Sequence, residues 1–118
     1  MAKIQLLRGF GADGNDNLIL ITEVKSNKPE YLAIDEDHYI NDATVEVTIY
    51  EEDKTTLLAG VSWPLVCTYV PDTDGWYGQT LQDGIAIPND KYWVVLVILG
   101  DGLKATASGF VPVVDRAL

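Results

Sequence analysis

One histidine and one cysteine, His38 and Cys67, are the pair in this chain that could in principle act as base and nucleophile. Their surroundings point elsewhere. Cys67 lies inside PLVCTYV (Pro64 to Val70), a strand-like run in which a free cysteine behaves as a small buried hydrophobe. His38 lies in the acidic run IDEDHYIND. A second candidate chemistry is cation binding. Asp35, Glu36, Asp37 and Asp42 in that run, with Asp72 and Asp74 of PDTDG, carry the carboxylates that a hard cation such as calcium needs in a shell of roughly six to eight oxygens. An EF-hand loop is excluded by register, because aligning Gly75 with its invariant glycine puts Val70 at the first ligand position and Leu81 at the last. A site shared by two loops stays open beside the plainer reading of solvated acids and turn formers. Gly9, Gly11 and Gly14 are no phosphate cradle, since no helix follows them and their neighbours are acidic. Paired carboxylates for glycosidic chemistry need a cleft and a tuned pKa, and short alternating strands offer no visible cleft. The expectation is therefore no catalytic residue, no cofactor-binding residue, no metal and no enzyme.

The elements that would position any site are strands. KYWVVLVILG (Lys91 to Gly100) is the most apolar run, long enough for a strand and far too short for a transmembrane helix. Tyr92, Val94, Leu96 and Ile98 point to one side and Trp93, Val95, Val97 and Leu99 to the other, so neither face is polar. It reads as the central strand. Lys3 to Arg8 and Asn17 to Lys25 precede it as strands, separated by GFGADGNDN; SNKPE is a turn, and Tyr31 to Asp42 is a loop crossing one end. Ala43 to Tyr50 alternates Val45, Val47 and Ile49 with Thr44, Glu46, Thr48 and Tyr50. Thr55 to Val61 and Pro64 to Val70 read as further strands, and PDTDG turns into GWYGQTL. GDG makes a tight hairpin between the central strand and Leu103 to Val114. No helix-period segment, repeat or low-complexity tract interrupts this pattern. The expected fold is all-β, an antiparallel sandwich of seven to eight strands in one domain spanning residues 1–118.

Eight basic and 18 acidic residues give a net charge of −10, which opposes binding to nucleic acid or to an anionic membrane surface. Self-repulsion at that charge requires any contact face between copies to be apolar and locally poor in charge. The single cysteine cannot form an internal disulfide, and MAKIQLLRGF lacks the apolar core and cleavage site of a secretory signal. Synthesis in the cytoplasm is expected, a history that a virus particle assembled in a cytosol would share.

Trp63, Trp76, Trp93 and Tyr77 are many aromatics for so short a chain. Two readings stay open: they fill the core and shield its ends, or one sheet face is covered by a neighbouring subunit. On the second reading Trp93, Val95 and Val97, with Trp76 and Trp63, are the interface candidates, and the partner is another copy or a different protein. A third reading is a carbohydrate- or cell-surface-binding platform of exposed tryptophans.

Two resemblances follow from these residues. IPNDKYWVVLV resembles the passage leading into strand F of fibronectin type III and related immunoglobulin-like domains, which implies that Tyr92 forms a tyrosine corner, its hydroxyl bonding back to the preceding loop, with Ile87 and Pro88 in the matching upstream positions. Asp90 departs from that pattern, where the family favours Thr or a small residue. The order YINDATVEVTIYEEDKTTLLAGVSWPL, PDTDGWYGQTL, KYWVVLVILGDG, covering Tyr39 to Val114, is similar to the immunoglobulin-like modules of tailed-phage virion proteins of the baseplate or tail. That similarity implies a non-enzymatic structural module of a phage or prophage particle, with no catalytic residues to carry over.

Overall fold

The computed structural model describes residues 2–9, 17–25, 39–81, 85, 87–100 and 102–115. Among them there is no helix; seven strands run in chain order as β1 (Lys3–Arg8), β2 (Leu18–Thr22), β3 (Thr44–Tyr50), β4 (Leu65–Tyr69), β5 (Tyr77–Thr80), β6 (Lys91–Gly100) and β7 (Leu103–Asp115). The protein is all-β. The loop holding Asp35, Glu36, Asp37 and His38 lies outside the described residues, as do Gly11 and Gly14.

The strands close in the order β1-β2-β5-β4-β3-β6-β7, with β7 returning to β1. This differs in two ways from the antiparallel sandwich expected of the sequence. The sheet closes into a barrel, and β1 runs parallel to β7 through Leu6↔Val113, Leu7↔Val114 and Arg8↔Asp115. Both differences have one cause. β7 outruns its partner: Leu103 to Pro112 pair with β6, leaving its last three residues to reach β1. Arg8 fastens that seam, its Nε donating to the Asp115 carboxylate at 2.7 Å and its Nη1 to the carbonyls of Ile87 and Pro88.

Thr55 to Val61, expected as a strand, makes only the single bridge Tyr50↔Leu57. The far side of β3 is divided: Leu58 donates to the Ile49 carbonyl at 3.0 Å, whereas β4 takes Val45, Glu46 and Val47. The chain has to leave the ladder between these two attachments, and it does so at Gly60, whose φ of +88° lies in the left-handed region that favours glycine.

Strand alternation builds the core. Val45, Val47 and Ile49 of β3 and Tyr92 and Val94 of β6 have no exposed surface, and they pack with Leu6, Ile19, Ile21, Cys67, Tyr77 and Ile87 in one cluster. Tyr77 brings a hydroxyl into that cluster, and burial raises its pKa. The hydroxyl donates to the Ile40 carbonyl at 2.6 Å and accepts from the Ala43 amide at 3.0 Å, so it satisfies the backbone that enters β3. Tyr77→Phe keeps the ring and orphans both groups. The expected result is a loss of about 1–3 kcal/mol, read as a lower denaturant midpoint at unchanged slope.

Candidate functional site

The outward face of β6 is the one the sequence singled out. Trp93, Val95 and Val97 lie on it half-buried, with Leu99 exposed beyond them. Register sets their neighbours. On the β3 side stand Tyr50, Thr48, Glu46 and Thr44; on the β7 side stand Phe110, Ser108, Thr106 and Lys104. An apolar stripe therefore runs down the middle of a face whose flanks carry hydroxyls, and it is broken by Glu46 before Val66 of β4, which is 53% exposed.

The Trp93 end of the stripe carries an aromatic pair with lysines on it. Trp93 and Phe110 meet edge to face, ring centroids 5.1 Å apart. Lys54 Nζ stands 4.6 Å from the Trp93 centroid and 5.4 Å from that of Phe110, and Lys91 Nζ stands 4.5 Å from Phe110. A turn delivers Lys54 to this position. Glu51 accepts from the Lys54 amide at 3.0 Å and donates its own amide to the Thr56 carbonyl at 2.7 Å. Asp53 accepts from the Thr56 hydroxyl and from the amides of Thr56 and Thr55, which hold its pKa at about 2. Lys54 itself sits at φ 67°, the one left-handed residue of the turn. The rings are thus flanked by ammonium groups in a chain of net charge −10.

The other tryptophans are not brought to this face. Trp63 packs half-buried against the core and donates its indole N–H to the Leu58 carbonyl at 2.9 Å. Trp76 is 43% exposed on the opposite wall, where it borders an open depression with Tyr39, Asp72, Thr73, Asp74 and Glu23. The Tyr92 ring is buried, and its hydroxyl accepts from the Asn89 amide, three residues upstream, at 3.1 Å.

Phe110, Lys54 and Lys91 were not among the residues the sequence reading selected. The hairpin contained the signal for Phe110: pairing Gly100 with Leu103 counts Trp93 opposite Phe110. Nothing local announces Lys54. Of the cation candidates, Asp42, Asp72 and Asp74 are exposed, and no group of three or more metal-ligating side chains occurs among the described residues.

Cys67 is buried beside Val45 in β4, and desolvation pushes its thiol up to about 12. The thiolate is the reactive form, so the folded protein at pH 8 is expected to resist a thiol reagent that labels it fully in denaturant; fast labelling of the folded form would contradict this burial. The chain matches no family model, no curated protein and no solved structure.

Proposed function

We propose that this protein is a non-enzymatic structural or protein-interaction module with an immunoglobulin-like arrangement, serving as a component of a phage or prophage particle. The observation that carries the interaction reading is the stripe of Trp93, Val95, Val97 and Leu99 on the outward face of the central strand, continued sideways by Phe110. Contiguous outward apolar side chains of this kind mark contact surfaces, and aromatic residues dominate their energetics.

The immunoglobulin-like reading draws on strand order. The ring is joined weakly beside β4, by three register pairs to β3 and two to β5, and again between β1 and β7 by three. Divided at these weak joints, it gives β1-β2-β5 facing β3-β6-β7 with β4 between them, the strand order of a seven-stranded immunoglobulin sandwich. The Tyr92 hydroxyl on the Asn89 amide supports the same reading.

The partner is protein, either another copy or a second virion protein. Trp93→Asp places a charge at the aromatic end of the stripe without touching the buried face of β6. Light scattering and pull-down from assembled particles are expected to show loss of assembly, with the circular dichroism of the isolated subunit unchanged. Retained assembly would remove this face from consideration.

A second reading, a carbohydrate- or cell-surface-binding module, is favoured by Trp76 alone: an exposed indole beside Tyr39, Thr73 and the carboxylates of Asp72 and Asp74. On that reading a glycan array gives hits that Trp76→Ala abolishes and Trp93→Asp spares. An array without hits would leave the protein-interaction reading.

A further inference from the structure

Among the described residues the outer edge of β7 is the longest free ladder position, and its direction is set by two observations. The Gly100↔Leu103 pair beside a two-residue turn makes the odd residues of β7 the ones bonded to β6. Val113, also odd, donates to the Asp90 carbonyl at 2.8 Å on the β6 side. By the same alternation the even residues of β6, Tyr92 to Ile98, are the ones that turn toward β7. The amides and carbonyls of Lys104, Thr106, Ser108 and Phe110 therefore point away from β6. β1 takes up this edge only from Leu6↔Val113 onward, and no described strand pairs with it before that. Lys104, Thr106, Ser108 and Phe110 are all exposed, and so is Ala105 on the opposite face.

We propose that this edge pairs antiparallel, about a two-fold axis, with the same edge of a second copy of the chain. The contact is made by the backbone of the strand edge, whose side chains Lys104, Thr106, Ser108 and Phe110 flank the face that carries Trp93, and the variants below separate the two readings. Two features select a second copy as the occupant. The first is self-complementarity: a two-fold placed between the strands at Ala107 sets Thr106 against Ser108 and Lys104 against Phe110, and each pairing occurs twice. Hydroxyl meets hydroxyl, and an ammonium meets a ring that already accepts two others on its own chain. About eight inter-chain hydrogen bonds result, two for each of the four pairs. The second is charge. Copies of net charge −10 repel one another, and from Gly102 to Val114 there is no acidic residue, so this edge brings no acid of its own to the contact. Pro112, which has no amide to offer, ends the free edge where β1 begins to take it up.

Charge also fixes the salt response. Screening the net repulsion strengthens association between copies, whereas an oppositely charged partner would be released by salt. The test is light scattering of the purified chain over a concentration series up to about 1 mM, at low and high salt, with amide hydrogen exchange of β7. The expected result is a doubling of mass that strengthens with salt, and slowed exchange at Thr106, Ser108 and Phe110 only as the dimer forms. Thr106→Pro removes an outward amide and none of the bonds to β6, so it is expected to return the mass to one chain. Ser108→Asp, which leaves the ladder untouched and sets acids near the axis, does the same and covers the case of a proline variant that fails to fold. A single-chain mass throughout overturns the proposal. So does slow exchange of these amides in dilute monomer, which would mean that a segment of the same chain occupies the edge. A dimer that survives both variants and is dissolved by Trp93→Asp also overturns it, and assigns the contact to the sheet face.

Discussion

Strand β6 pairs on both sides over almost its whole length, with β3 through seven residues and with β7 through ten. Because side chains alternate along a strand, this one placement decides two surfaces together. Tyr92, Val94 and Leu96 become the centre of the core, and Trp93, Val95 and Val97 become the centre of an outer face. A slip of one residue would exchange them, and the polar flanks of β3 and β7 would then point inward. The register is held by the two-residue turn at one end and by Tyr92 and Asn89 at the other.

The rest of the barrel is joined to this three-stranded core less firmly. β4 contributes short pairings to both of its neighbours, and β1 meets β7 along only three residues. Side chains and backbone groups reinforce these junctions. Arg8 spans the end of β7 and the segment before β6. Asn17, almost fully buried, accepts from the Gly9 amide and donates to the Ile85 carbonyl at 2.8 Å, tying the start of β2 to the chain after β5. At the opposite end Gly75, at φ +71°, lies so close to the backbone of Val24 that a Cβ there would stand 2.6 Å from its carbonyl oxygen. The Val24 amide donates to the Gly75 carbonyl at 3.1 Å. Closure thus depends on a handful of polar contacts around an apolar interior.

Electrostatics shape what the surface offers. The chain is strongly acidic, yet the β6–β7 hairpin and the turn before Leu57 gather Lys54, Lys91 and Lys104 around apolar and hydroxyl side chains. Ammonium groups stand over Trp93 and Phe110, while Leu99 at the other end of the stripe is exposed. The free thiol is buried, and the described carboxylates do not gather into a ligand set.

Local pattern in the sequence was enough to determine that the protein is all-β, that β1 spans Lys3–Arg8, that the alternating residues of β3 and β6 divide between two faces, and that β6 and β7 form a hairpin. Those features are written at a period of two and in a single turn, so neighbours in the chain specify them. Only the tertiary structure decided the closure of the ring and the parallel pairing of β1 with β7, because both join residues more than a hundred positions apart and depend on how far β7 overruns β6. It also decided the fate of the three tryptophans. Trp93 on the face, Trp63 against the core and Trp76 on the opposite wall are alike in composition, and they differ in which neighbours the folded chain sets beside them. The stretch Thr55 to Val61 shows the same limit from the other side: its residues favour a strand, but β3 had room beside it for only one bridge.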